Sequence, residues 1–261
     1  MATTKTGSTP PFYGFTVKDG FHVLKQGWTQ KSHFAAQCEA LLKDFSVALE
    51  ATKVAAPLRG MKPKPYFPGN QRTAASAMGS NQRERKIEAS LLDRWKRGKL
   101  SGNCLPKLSA LESQVPLFGA RKKRDWGYVD LLGISTAGAP VIVELKAASS
   151  ENPLRPVLEA VSYAIALRAD WENFRKDAIA HLKDKVSRLC DADASFECVV
   201  LVQPDYCDSW DRKAKSTDAI STDGWNAFDK LLKKFKEAGY PVSFAQYVVD
   251  DGLATVTKVK L

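Results

Sequence analysis

A chain of 261 residues that is 44% apolar can build one large domain, or a core domain with a smaller appendage. Its formal charge of +10 points to an acidic partner, while the lack of any run near ~20 apolar residues and of an apolar core in MATTKTGSTPPFYG leads us to expect a soluble, cytoplasmic protein with no membrane partner. Five scattered cysteines (Cys38, Cys104, Cys190, Cys198, Cys207) form no C-x-x-C pair, and His22, His33 and His181 stand at no ligand spacing from them, which argues against a zinc site, a disulfide framework and a Cys–His or Ser–His–Asp centre.

Residues 1–20 are rich in Thr, Ser, Gly and Pro and read as an arm. Phe34, Cys38, Leu41, Leu42, Phe45, Val47 and Leu49 recur at roughly helical spacing and predict one helix from about Lys31 to Lys53. Pro57, Pro63, Pro65, Pro68, Gly69 and Gly79 mark residues 57–80 as a linker, so we divide the chain into an N-terminal part, 1–80, and a main domain, 81–261. Ile87, Leu91, Leu92 and Trp95 form the stripe of a helix over 82–97, with Asn81 as its cap and Gly98 at its end.

Between Lys53 and Asp125 there are seventeen Lys or Arg against five Asp or Glu, including Arg121-Lys122-Lys123-Arg124. Such density suits phosphate contacts and counterion release, and it makes nucleic acid the expected partner. Beyond it, Tyr128–Ile134 and Val141–Lys146 are apolar runs joined by a turn at Gly138 and Pro140, the pattern of a β-hairpin. Helices are predicted over Pro156–Arg168, Trp171 to about Leu189 and 223–238, and strands over Phe196–Val202, Val242–Val249 and Leu253–Val259. That order gives an α/β fold: a mixed central sheet flanked by helices, with a mostly helical N-terminal region.

Three charges interrupt the hairpin. Asp130 lies within one apolar run, and Glu144 and Lys146 within the other, two residues apart and therefore on one strand face. Charges in a core-like strand are costly unless they are paired or hold a metal ion. Buried ion pairs, or an edge strand facing solvent, would account for each residue singly. Together, two carboxylates on adjacent strands repel unless a cation intervenes, and Mg²⁺ prefers one or two carboxylates plus water and phosphate. A lysine beside them supplies positive charge where a phosphodiester reacts.

With Val129-Asp130-Leu131-Leu132-Gly133, Pro140-Val-Ile-Val-Glu144-Leu145-Lys146 and thirteen residues between the carboxylates, the chain resembles the PD-(D/E)XK nuclease superfamily over about residues 82–205. The resemblance implies a restriction-endonuclease-like core in the main domain and a Mg²⁺ (or Mn²⁺) cofactor. It implies metal ligation by Asp130, Glu144 and a helix-borne acid matching Glu88, with Glu84 one turn earlier as the fallback. It implies a catalytic role for Lys146. Family members often carry Gln and, four residues on, Tyr in the following helix; Glu159 and Tyr163 hold those positions here, so the first departs from the pattern. Arg121, Lys122, Lys123 and Arg124 would grip phosphates, and Trp126 and Tyr128 would either stack on bases or belong to the core.

The expected activity is therefore metal-dependent hydrolysis of phosphodiester bonds in nucleic acid, with DNA ranked ahead of RNA and both exonuclease and endonuclease action open; cutting both strands would favour a homodimer. A non-catalytic nucleic-acid-binding protein on the same fold is the alternative. A regulatory module with internal salt bridges is the third reading.

Overall fold

A computed structural model of the chain describes residues 12, 15–25, 31–57, 66–67, 83–102, 107–117, 126–147, 152–182, 189, 194–210, 220–250 and 253–259. The N-terminal elements are a 3-10 turn at Val17–Asp19 and helices α1 (Phe21–Leu24), α2 (Lys31–Lys43) and α3 (Phe45–Ala55). Helix α4 (Arg83–Lys96) leads to strands β1 (Leu100–Gly102), β2 (Leu108–Pro116), β3 (Tyr128–Ser135) and β4 (Pro140–Lys146). Then come α5 (Leu154–Ala169), α6 (Trp171–Leu182), β5 (Glu197–Val202), α7 (Pro204–Ser209), α8 (Thr222–Glu237), β6 (Val242–Asp250) and β7 (Leu253–Val259).

The strands form one mixed seven-stranded sheet in the order β1-β7-β6-β5-β4-β3-β2. Strands β2, β3 and β4 run as an antiparallel meander, and β5 and β6 then add parallel to β4. β7 folds back antiparallel on β6 and takes β1 as a parallel edge. Strands β4 and β5 sit inside the sheet, with β-branched residues throughout and burial on both faces, the pattern of strands covered from both sides.

Each face has its own apolar layer. Ile142, Val200, Val202 and Phe244 pack under α5, whose Val157, Val161 and Ala164 join a core shared with α1–α3, α6 and α8. The helices before residue 80 belong to this core: Phe34 meets Phe228 at a tilt at 5.1 Å, and Phe21 and Phe45 both meet Phe235 edge-on at 5.2 Å. On the other face, Val141, Val143, Leu145, Val199 and Leu201 pack under α4 through Leu91 and Leu92.

The α/β class, the hairpin, the 82–97 helix and the two C-terminal strands agree with the sequence pattern. Four features differ. The single helix expected over residues 31–53 breaks at Asp44, whose ψ of +28° turns the chain so that α2 faces α8 while α3 faces α1. The edge strands β1 and β2 were not expected, because Ser109, Glu112, Ser113 and Gln114 interrupt the alternation of β2, as edge strands commonly allow. The short α7 was also unexpected. Helix α6 is described to Leu182, so its expected continuation to Leu189 lies outside the described residues, as do most of the 1–20 arm and the 57–80 linker. Among the described residues no helix is long and apolar enough to cross a membrane. Of the cysteines, Cys38 and Cys198 are free and buried.

Candidate active site

The pairing of β3 with β4 runs from Ile134↔Pro140 to Leu131↔Val143 and ends there. Asp130 and Glu144 are the next residues on the two strands, so the register brings them together where the ladder stops. Asp130 Oδ2 accepts a hydrogen bond from the Leu145 backbone N–H at 2.9 Å, which lets the carboxylate span the gap that the strands leave. Glu144 and Lys146 alternate with the apolar layer under α4 and lie on the α5 face, 3% and 7% exposed. Lys146 Nζ stands 2.8 Å from Glu144 Oε1 and 2.7 Å from Glu159 Oε2 on α5, and Arg155 Nε is 3.5 Å from Glu159 Oε1.

Helix α4 supplies the acids on the other side of the hairpin. Glu88 is 2% exposed and accepts from Gln114 Nε2 at 2.8 Å, and the same nitrogen reaches Asp130 Oδ1 at 3.5 Å. Glu88 thus meets Asp130 through Gln114. The fallback residue, Glu84, is engaged elsewhere: its Oε1 accepts from the Ala147 N–H at 3.1 Å and ties α4 to the end of β4. Gln114 has a φ of +52°, the one positive value at a non-glycine among the described residues. This conformation costs on the order of 1–3 kcal/mol and persists where the surroundings enforce it, commonly at functional sites.

Tyr163, 6% exposed, lies one turn beyond Glu159 on α5. A Cβ on Gly127, whose φ is +69°, would sit 3.2 Å from the Tyr163 hydroxyl oxygen, so glycine permits this close approach. Lys25 at the end of α1 places Nζ 4.4 Å from the centre of the Tyr163 ring and donates to the Trp126 carbonyl at 3.1 Å. Trp126 is stacked on His22 at 4.6 Å and 3% exposed, so it belongs to the core; Tyr128 is 45% exposed.

Burial and mutual repulsion raise the pKa values of Glu88, Asp130 and Glu144, while Glu159 is lowered. Burial, then the Asp130 charge, pushes Glu88 up to about 8 despite the Gln114 hydrogen bond. Burial pushes Asp130 up to about 6 against the pull of Lys146 and the Leu145 N–H. Glu144 is held well above the carboxylate range by burial and by Asp130, and it keeps the proton it shares with Glu159. For Glu159, burial opposes ionisation, but Lys146, that shared proton and Arg155 outweigh it and hold the pKa below the usual range. Burial lowers Lys25 to about 8, with Glu159 and Glu144 pulling the other way.

The donor set suits a hard cation held by two carboxylates and water. Glu144 Oε2 is buried and, apart from the shared proton, has no hydrogen-bond donor among the described residues. Its neighbour Asp130 carries a raised pKa that a nearby cation would lower. A complete cage is not preformed: among the described residues no three His, Cys, Asp or Glu side chains are arranged to hold a metal ion. Mg²⁺ does not require one, since it usually keeps several waters and binds through one or two carboxylates.

Every catalytic or metal-binding residue expected from the sequence (Glu88, Asp130, Glu144, Lys146, Glu159 and Tyr163) falls in this neighbourhood. Arg121, Lys122, Lys123 and Arg124 lie outside the described residues. Sequence reasoning missed Gln114, Lys25 and Arg155. Arg155 had a signal, since it stands four residues before Glu159 on a helix and faces it. Lys25 closes the apolar run Phe21-His-Val-Leu, a placement that hints at burial without naming a partner. No family model, curated protein or solved structure matches the chain.

Proposed function

We propose that the chain is a metal-dependent nuclease of the PD-(D/E)XK type on a restriction-endonuclease-like core, hydrolysing phosphodiester bonds, with DNA the favoured substrate. The observation that carries this reading is the convergence of Asp130 and Glu144 at the mouth of the β3–β4 hairpin, with Lys146 between Glu144 and Glu159. The succession α4–β2–β3–β4–α5–β5 supports it, because it brings a helix-borne acid, two strand-borne acids and a lysine to one end of the sheet. Internal salt bridging alone explains the group poorly. Four acids, Glu88, Glu144 and Glu159 buried and Asp130 partly so, outnumber Lys146, Arg155 and Lys25 beside them, and three of the four have raised pKa values.

Asp130 and Glu144 would hold the ion, which when bound supplies a Lewis acid for the phosphate and lowers the pKa of water. Glu159 fixes the Lys146 ammonium, which lies where charge develops on the reacting phosphate and needs no reorganisation to act. Gln114 orients Asp130 and Glu88 together, and Glu88 retains its proton at neutral pH while no cation is near. Tyr163 and Lys25 close the α5 side of the site against water.

The test is incubation with circular and linear, single- and double-stranded DNA and RNA in Mg²⁺, Mn²⁺ or EDTA. Cleavage that EDTA stops is expected; salt-sensitive binding without cleavage in any cation would favour the non-catalytic alternative. Binding has its own expected signature. If Arg121, Lys122, Lys123 and Arg124 contact phosphates, log affinity for duplex DNA falls with log salt by roughly 0.9 per phosphate neutralised. Changing the four to Ala then weakens binding across all sequences and flattens that slope. An unchanged slope in a fluorescence titration would place the footprint elsewhere.

A further inference from the structure

Helix α1 reaches the acid cluster from outside the stretch that carries the nuclease-like residues. Gly20 opens it at a φ of +83°, where a Cβ would stand 2.9 Å from Thr52 Oγ1, and the Phe21 N–H donates to that oxygen at 2.8 Å, seating α1 on α3. From this seat α1 holds the approach to β3 twice, through the His22 ring stacked on Trp126 and through Lys25 Nζ on the Trp126 carbonyl. Lys25 is 4% exposed, and no carboxylate among the described residues pairs with it. Its ammonium otherwise faces the ring of Tyr163, the residue one turn beyond Glu159 on α5.

We propose that Lys25 is a positioning residue for the reaction, through which the N-terminal helices loosen the cluster's hold on a divalent cation and add positive charge to the site. The inference rests on the nuclease reading and gives the helices before residue 80 a part in it. A neutral donor would hold the Trp126 carbonyl equally well, so the hydrogen bond alone does not call for a charge. An ammonium has three donors, and burying one with a single hydrogen bond and no paired anion is costly. Burial is the strongest influence against the charge on Lys25; Glu159 and then Glu144 act in its favour, and Lys146 and Arg155 act against it. Coupling of this kind is reciprocal, so Lys25 favours negative charge on the cluster as the cluster favours the ammonium. A cation bound at Glu144 adds positive charge that Lys25 opposes. The negative charge that gathers on a reacting phosphodiester is charge that Lys25 favours.

The test is calorimetric Mn²⁺ titration of the full chain at pH 7, beside kcat and KM for DNA cleavage in Mn²⁺, with Lys25→Met, Lys25→Gln and Lys25→Arg. Lys25→Met and Lys25→Gln should bind Mn²⁺ about threefold to tenfold more tightly than wild type and lose about tenfold in kcat, with KM unchanged. Lys25→Arg keeps the charge and should return both quantities towards wild type. Lys25→Gln retains a donor for the Trp126 carbonyl, so it separates the charge from the packing. A lysine that serves the fold alone predicts equal or weaker Mn²⁺ binding in Lys25→Gln, and that result would overturn the proposal. So would a Lys25→Arg that melts as wild type does yet behaves as Lys25→Gln, or a wild type that binds no Mn²⁺. If wild type cuts while Mn²⁺ affinity ignores the Lys25 charge, the inference fails and the nuclease reading stands. If affinity follows the charge but nothing is cut, the coupling stands and the nuclease reading fails.

Discussion

Asp130→Asn and Glu144→Gln are expected to lose about a hundredfold to a thousandfold in cleavage rate, while Asp130→Asn makes the metal-free protein more stable at pH 8. Both changes keep the shape and an acceptor oxygen. Asparagine at 130 can still take the Leu145 N–H, and glutamine at 144 can still meet Lys146 at the position of Oε1. What Asp130→Asn removes is a partly buried negative charge, whereas Glu144, held well above the carboxylate range, has no charge to lose in the metal-free protein. Asp130, at about 6, is ionised at pH 8 and held against its burial, so neutralising it should return about 1–3 kcal/mol. A structural ion pair behaves in the opposite way, since breaking one by removing a partner typically costs about 3–5 kcal/mol. Urea melts and initial cleavage rates of the same preparations separate the two outcomes. Lower stability together with undiminished cleavage would make these carboxylates part of the scaffold.

The second large effect is on pH and cations. Glu88, at about 8, and Asp130, at about 6, both have folded-state pKa values above their unfolded ones. The folded protein therefore binds protons more tightly than the unfolded chain over this range, and unfolding stability falls as pH rises. The stabilisation is fully present below about pH 4 and is lost as pH climbs through 6 and then 8. Lys25, lowered to about 8, acts in the opposite sense, regaining stability only between about 8 and its unfolded value of 10.5. In EDTA the melting temperature should thus decline from pH 5 to pH 8. Mn²⁺ should restore it most at pH 8, where Asp130 is already ionised and fewer protons must be displaced, because a species that binds only the folded state stabilises it by mass action. A cation effect that is equal at pH 5 and pH 8 would place the ion away from these carboxylates.

Much of the site was legible in the sequence because its chemistry conflicts with its surroundings. Asp130, Glu144 and Lys146 stand out as charges in strands that otherwise read as core, and the fixed two-residue period of a strand settles which of them share a face. Glu88 and Glu159 were picked out only by the family pattern that the chain resembles. Gln114 could not be read in this way. It lies on an edge strand whose polar residues resemble a loop, and its role depends on a left-handed backbone conformation that the residue type does not announce. Lys25 and the α1–α3 contribution were hidden for another reason. Their packing against α5 and α8 joins residues far apart in the chain, and local periodicity carries no trace of such contacts. For the same reason the Asp44 break, which depends on two separate partners for α2 and α3, reads locally as one continuous helix.

The most direct measurement pairs calorimetric Mn²⁺ titration with a DNA cleavage assay for wild type, Asp130→Ala, Glu144→Ala and Lys146→Ala. Asp130→Ala and Glu144→Ala should lose both metal binding and cleavage. Lys146→Ala should lose cleavage by about a hundredfold or more yet still bind Mn²⁺, with affinity equal to or above that of wild type, because a positive charge 2.8 Å from Glu144 has gone. If Lys146→Ala cuts normally, the lysine serves only to pair Glu144 and Glu159. If Asp130→Ala and Glu144→Ala bind Mn²⁺ and cut as wild type does, this cluster is not the site of a metal-dependent nuclease.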